Sequence, residues 1–136
     1  MDRDYANRYR NSIQMWKIME RIKFSQEKYS NGETTLQMLD DYIEPDGLYL
    51  LDEPEVSLSP KNQIILAEKL NNAARYLGCQ FIISTHSPFL LGTLNGKIYN
   101  LDSDDLEVEK WTELENVKCF FEFFEERRKE FLADNK

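Results

Sequence analysis

The segment that most constrains the fold is an apolar run that ends in two acids. Residues 48–51 are Leu-Tyr-Leu-Leu, and Asp52, Glu53 and Pro54 follow directly. A short run without polar alternation is typical of a strand that is buried on both faces of a parallel sheet. Ligands of open parallel sheets bind outside the carboxyl ends of the strands. The run therefore predicts an α/β domain that carries two carboxylates at its ligand-binding edge.

The two acids suit two different tasks. Asp52 can hold Mg²⁺, directly or through water, because this ion prefers hard oxygen ligands and keeps several waters. Glu53 can orient or deprotonate a water that attacks a phosphoryl group. A strand that simply ends in a solvated acidic turn explains these residues about equally well.

Helical and strand patterns alternate along the chain, which predicts an α/β fold with a mainly parallel sheet. The best-marked helix starts at a Ser59 cap with Pro60 in its first turn, and Gly78 closes it. The last helix carries five phenylalanines, for which burial in the core is favoured over docking of a partner. Helices are predicted over residues 5–24, 33–43, 60–77 and 113–132, a short turn or helix over 87–91, and further strands over 79–84, 97–101 and 106–110.

Two other segments carry candidate functional residues. His86 is the chain's single histidine and lies two residues past an apolar strand, 34 residues after Asp52. At that edge of the sheet it can hydrogen-bond a terminal phosphate and reach the attacking water. Upstream, residues 30–33 precede a helix whose free N–H groups and dipole favour an anion. Taken alone, however, a lone histidine is usually structural, and the upstream turn is an ordinary helix cap.

Together these segments resemble the second half of an ATP-binding cassette (ABC-type) ATPase. Residues 30–33 look like its signature loop, residues 48–53 like Walker B, residues 55–59 like the D-loop, and His86 like the switch histidine. The sequences of two segments, DEPEVSLSP and ISTHSPFLL, are more similar to soluble AAA-type ATPases and to Rad50, SMC and OLD-like proteins than to transporter cassettes. The resemblance covers about residues 25–102.

The resemblance implies a partial P-loop NTPase fold of three layers. It divides the chain into part of a helical subdomain (1–44), an α/β core (45–112) and a C-terminal helix (113–136). It also implies ATP and Mg²⁺ as cofactors, held between two cassettes that dimerise head to tail. Hydrolysis of ATP is the activity that follows from it.

The site residues follow from the same resemblance. Asp52 would coordinate Mg²⁺, Glu53 would be the general base, and His86 would contact the γ-phosphate. Nucleotide held by the opposite cassette would meet the signature loop, and the D-loop would lie at the dimer interface. These two loops consist of Ser30, Asn31, Gly32 and Glu33, and of Ser57, Leu58 and Ser59. They depart from the family pattern. In the signature, Tyr29, Asn31 and Glu33 stand for Leu, Gly and Gln, and in the D-loop Ser59 replaces the aspartate of transporters.

The 136 residues contain no Walker A loop, G-x-x-x-x-G-K-[ST]. The nearest imitation, residues 92–98, has one residue too few between its glycines and ends in isoleucine. The sequence therefore predicts the C-terminal part of a larger ATPase that is nearly inactive alone. Expected partners are the Walker A half or a second cassette, with self-association through the uncovered sheet edge. The alternatives are a non-catalytic module that supplies its signature loop to a partner ATPase, and an unrelated α/β domain.

Composition excludes several classes of protein. A hydrophobic fraction of 41% rules out wholesale disorder, and no apolar run is long enough to span a membrane. The N-terminus has no signal-peptide pattern, and Cys79 and Cys119 lie in core-like segments without metal-ligand spacing, which fits a cytoplasmic protein. The net charge of −8 divides into +3 over residues 1–30 and −11 over the rest. This balance argues against DNA binding by the chain itself and leaves DNA contact to a parent protein.

Overall fold

A computed structural model of the chain describes residues 32–133. The predicted helix over residues 5–24 therefore lies outside the described residues. The elements are α1 (Gly32–Tyr42), β1 (Leu48–Asp52), α2 (Pro60–Tyr76), β2 (Gln80–Ser84), α3 (Pro88–Thr93), β3 (Ile98–Tyr99), β4 (Val108–Glu109), a 3₁₀ turn (Trp111–Glu113), α4 (Glu115–Glu126) and α5 (Arg128–Leu132).

A parallel strand pair forms the centre of the fold. β1 and β2 pair in register from Leu48 opposite Gln80 to Asp52 opposite Ser84. The connection between them contains α2, as parallel strands require a crossover. The prediction of an α/β fold with a parallel sheet is confirmed for this pair, and both carboxyl ends lie at one edge.

Local signals set both ends of α2. The Ser59 hydroxyl accepts a hydrogen bond of 3.3 Å from the Asn62 N–H, and Pro60 occupies the first turn. Gly78 follows the helix with φ at +66°, a left-handed conformation that favours glycine. A Cβ at this position would lie 2.6 Å from Oδ1 of Asp46, so a larger residue would also have to displace that side chain.

The hydrophobic core lies between α2 and one face of the parallel pair. Its cluster of buried side chains comes from α1, α2, α3 and the loop after β1, and the inward residues of both strands pack against it. The buried set is Leu36, Leu58, Leu66, Ala67, Leu70 and Leu90, with Leu51, Phe81 and Ile83 from the strands. An ion pair between Asp40 and Lys69 also joins α1 to α2.

The other face of the parallel pair differs from the sequence prediction. Leu48, Leu50 and Ile82 are 51%, 50% and 57% exposed, so burial alternates along both strands. The expectation of strands buried on both faces is wrong within residues 32–133, because α2 covers one face only. A third layer is likewise not formed by the part of the chain that the structure describes.

The strands after α3 do not extend the parallel sheet. β3 and β4 pair with each other in antiparallel register, Ile98 with Glu109 and Tyr99 with Val108. The linker between them is a tight loop, in which the Asn100 side chain accepts a hydrogen bond of 3.0 Å from the Asp102 N–H. A loop this short allows antiparallel pairing but no parallel crossover. The prediction of a third strand in the parallel sheet is therefore corrected.

The predicted helix over residues 113–132 is divided into two helices, α4 and α5. The 3₁₀ turn precedes α4, and Arg127, with φ at −100° and ψ at 7°, separates α4 from α5. Val117 is the buried residue of α4, whereas its four phenylalanines and Phe131 are 43–67% exposed. Their burial in the core, which the sequence favoured, is not found.

The cysteines differ in their surroundings. Cys79 is buried, and its Sγ lies 3.2 Å from the Glu44 carbonyl oxygen, whereas Cys119 is exposed on α4. The core-like placement predicted for both is therefore met by Cys79 alone. Among the helices within residues 32–133, none combines the length and apolarity needed to cross a membrane.

Candidate functional site

The end of β1 places two carboxylates at the carboxyl edge of the parallel pair. Asp52 is the last residue of the strand, and the Glu53 N–H continues the ladder by donating to the Ser84 carbonyl over 2.8 Å. Glu53 has φ at +45°, a left-handed conformation that few residues with a Cβ adopt. The chain therefore turns sharply at this residue, and both carboxylates remain exposed to solvent.

The end of β2 brings His86 to the same edge. Its Nε2 lies 3.7 Å from Oε1 of Glu53, and the two side chains are 78% and 49% exposed. This separation is longer than a hydrogen bond. The Glu53 carboxylate and the His86 imidazole therefore lie beside the same solvent-accessible space. The structure thus brings together two of the residues that the sequence singled out.

The main chain at His86 is held by a residue to which the sequence assigned no role of its own. Oε1 of Glu55 accepts a hydrogen bond of 2.6 Å from the Thr85 hydroxyl and one of 3.0 Å from the His86 N–H. Oε2 of Glu55 is buried and has no hydrogen-bond partner in the structure as described. The sequence placed Glu55 only within the D-loop, because a contact across 30 residues leaves no local pattern.

Further hydrogen bonds close a ring around this contact. The Ser87 N–H donates to the Thr85 hydroxyl over 3.1 Å, and the Ser87 hydroxyl donates to Oε1 of Gln63 on α2. The Gln63 amide then donates to the Leu58 carbonyl over 3.0 Å. The loop after β1 and the loop after β2 are therefore joined at two points, through Glu55 and through Gln63.

Helix α4 also contacts this site. The side-chain amide of Asn116, in the first turn of α4, donates to the His86 carbonyl over 3.3 Å. The sequence contained no motif in this region, and an asparagine near a helix start is more simply a cap. The main chain of His86 is thus held at its N–H by Glu55 and at its carbonyl by Asn116.

The remaining candidates lie in different places. Ser30 and Asn31 are outside the described residues, and Gly32 and Glu33 begin α1. In the D-loop segment Ser57 is exposed with φ at +70°, Ser59 caps α2, and Leu58 is buried in the core. Residues 92–98 run from the end of α3 into β3 and open no helix, which agrees with their exclusion as a Walker A loop.

The donor set at the strand end fits magnesium. No group of three or more His, Cys, Asp or Glu residues placed to hold a metal occurs within residues 32–133. Mg²⁺ does not require such a cage, since one or two carboxylates, waters and substrate phosphates complete its shell. Asp52 offers an exposed carboxylate beside Ser84, its partner in the parallel register. The Asp52 carboxylate is an oxygen donor of the type that this ion takes.

Comparison with known proteins places the chain in a family. Residues 20–92, more than half of the chain, match the family described as "AAA domain, putative AbiEii toxin, Type IV TA system". The matched range includes every candidate residue from Ser30 to His86. No solved structure matches the chain.

A curated relative matches over a shorter segment. The chain is 41% identical over 51 residues to the "Retron Vc95 probable ATPase" of Vibrio cholerae serotype O1 biovar El Tor. That segment is 38% of this chain and 10% of the relative, so the alignment spans about a tenth of the relative's length. On the family match, the chain belongs to this family of AAA domains.

Proposed function

We propose that this chain forms the Walker B and switch-histidine half of an ATPase site of the ABC type. The observation that carries the proposal is the approach of His86 to Glu53, at 3.7 Å, beside Asp52 at the carboxyl edge of the parallel pair. Membership of the AAA-domain family and the similarity to a retron ATPase support nucleotide chemistry at this edge.

In the proposed reaction Glu53 acts as the general base. Its carboxylate accepts a proton from a water as the water oxygen attacks the γ-phosphorus of ATP. The bond from that phosphorus to the bridging oxygen breaks, and ADP leaves. The exposure of Glu53 and its turn out of the strand leave the carboxylate open to a water and a bound phosphate.

His86 and Asp52 have supporting roles in this proposal. The imidazole of His86 hydrogen-bonds the γ-phosphate, close enough to Glu53 for both groups to contact one reacting water. Asp52 would hold Mg²⁺, which neutralises charge on the phosphates when it is bound. The chain's own contribution is therefore a base, a phosphate ligand and a metal ligand on two adjacent strand ends.

The remaining phosphate contacts are proposed to come from other segments. A Walker A loop supplied by another segment or chain would hold the β- and γ-phosphates, because residues 1–136 contain no such motif. A second cassette would offer its signature loop, the counterpart of residues 30–33, across a head-to-tail dimer. At this interface Ser57 and Ser59 are accessible, whereas the Leu58 side chain packs inside.

Calorimetric titration of the chain with MgATP tests the half-site proposal. We expect no saturable heat from the chain alone and measurable binding once a Walker A-bearing segment is added. Asp52→Ala should then weaken binding by about tenfold or more, because interactions with a charged group contribute about 1.5–3 kcal/mol.

The matched control is Asp104→Ala, which removes an exposed acid from the loop between β3 and β4. It should leave the heat unchanged. Saturable MgATP binding by the chain alone that Asp52→Ala abolishes would overturn the half-site proposal, since the chain would then build a phosphate site without a P-loop. If Asp52→Ala leaves the affinity for MgATP unchanged, the assignment of Asp52 as the Mg²⁺ ligand is overturned.

Self-association of the isolated chain is a second expected result. Leu48, Leu50 and Ile82 form an exposed apolar face, and each strand of the pair has one unpaired edge among the described residues. Sedimentation velocity should show a concentration-dependent shift to larger species, and Leu50→Lys should reduce it. Leu101→Lys, at a 78% exposed loop position, is the matched control. A monodisperse monomer over a wide concentration range would contradict this expectation.

A further inference from the structure

We propose that Glu55 is a positioning residue that fixes the main chain of His86 relative to Glu53, a role that rests on the proposed function of that pair. Glu55 lies two residues after Glu53 and contacts the segment that carries His86. One side chain therefore links the base to the histidine, although 31 residues separate Glu55 from His86.

The first support is the geometry of the carboxylate. Oε1 of Glu55 receives the Thr85 hydroxyl at 2.6 Å and the His86 N–H at 3.0 Å. Hydrogen bonds to an ionised acceptor are shorter and stronger than neutral ones. Two such bonds to one oxygen set both the position and the orientation of the peptide before His86.

The second support is the rigidity of the turn that carries Glu55. The Val56 N–H donates to the Glu53 carbonyl over 3.2 Å, and the Leu58 N–H donates to the Glu55 carbonyl over 2.9 Å. Leu58 is buried in the core, which anchors the far end of the turn. Because Glu53 and Glu55 share this turn, a displacement of Glu55 changes the distance from Glu53 to His86.

The third support is the exposure of the histidine. Its side chain is 78% exposed, so the position of the imidazole depends mainly on the main chain that carries it. Asn116 holds the carbonyl of His86 at 3.3 Å and Glu55 holds its N–H. Removal of Glu55 frees the N–H of His86, while the Asn116 contact with its carbonyl remains.

The test uses the fact that His86 is the chain's single histidine. In an NMR spectrum of the whole chain, the imidazole Cε1–H therefore gives one signal that needs no assignment. The change in its chemical shift on Glu53→Gln measures how closely the two side chains are held. We measure this change in the native chain and in chains that carry Glu55→Ala or Glu55→Gln.

We expect Glu53→Gln to change the imidazole chemical shift strongly in the native and Glu55→Gln chains. In the Glu55→Ala chain the same substitution should change it much less. Glutamine keeps Oε1 as an acceptor for both donors, so it should rescue the positioning that alanine removes. Amide exchange at His86 should be faster on the order of tenfold in Glu55→Ala, as expected for a lost charge-assisted hydrogen bond. Glu44→Ala, which removes an exposed acid before β1, should alter neither readout.

Thr85→Val serves as a second variant in case Glu55→Ala fails to fold. It removes the hydroxyl that donates to Glu55 and keeps the side chain's shape. It should also reduce the change in the imidazole chemical shift that Glu53→Gln causes. If Glu53→Gln changes the imidazole chemical shift as much in folded Glu55→Ala as in the native chain, the proposal is overturned. Where Glu55→Ala does not fold, the same result in Thr85→Val overturns it. The NMR experiment contains no nucleotide, so its result does not depend on whether MgATP binds. The half-site proposal and the Glu55 proposal can therefore fail independently of each other.

Discussion

Replacement of Glu53 by glutamine is expected to lower ATP hydrolysis by about 10²- to 10⁴-fold, the usual contribution of a general base. Glutamine has the shape of glutamate but cannot accept the proton of the attacking water. Nucleotide should still bind, because Asp52 is unchanged, so ATP should accumulate in the site without turnover. The assay combines this chain with a Walker A-bearing segment, joined in one polypeptide or added as a second chain, and measures phosphate release and bound ATP.

The matched control for this assay is Glu44→Gln, the same change at an exposed position before β1. It should leave turnover unaltered. Equal turnover in Glu53→Gln and the native assembly would show that Glu53 is not the base. Loss of both binding and turnover in Glu53→Gln would instead assign Glu53 to the binding of nucleotide or metal.

The second large effect concerns stability. Leu66→Ala should lower the free energy of unfolding by about 2–5 kcal/mol, because it removes buried methyl groups and leaves a cavity. Leu66 is fully buried in α2 at the centre of the core cluster. Urea denaturation of the whole chain, followed by circular dichroism, measures the difference.

Ile64→Ala is the control on the same helix. Ile64 is 37% exposed, so its truncation should cost much less, about 1 kcal/mol or below. Equal effects at the two positions would mean that α2 does not pack against the parallel pair as described. In that case the described positions of the ends of β1 and β2, and of the candidate site that they carry, would no longer be supported.

The elements that the sequence predicted correctly are those with local signals. Ser59 and Pro60 mark the start of α2, Gly78 marks its end, and the apolar runs mark β1 and β2. Each of these depends on neighbouring residues only. Since two strand ends that lie side by side bring their side chains together, the approach of His86 to Glu53 also followed from the expected parallel pairing.

The features that the sequence missed depend on distant contacts. The apolar run at residues 48–51 does not show whether the described helices cover one face of the strand or both. Residues 97–101 are strand-like in any sheet, and the short loop to β4 decided their antiparallel pairing. Glu55, Gln63 and Asn116 are ordinary surface residue types, and their roles appear only when the two loops meet.

The left-handed backbone at Glu53, with φ at +45°, affects how a mutational scan of this position is interpreted. Such a conformation is tolerated by glycine and more readily by asparagine and aspartate than by branched side chains. Valine or isoleucine at position 53 would lose activity through misfolding of the turn, whatever the chemistry of the carboxylate. Only residues that can adopt this left-handed backbone separate the chemical role proposed for the carboxylate from its role in the turn. A loss of activity averaged over all substitutions at position 53 would therefore overstate the importance of the carboxylate's chemistry.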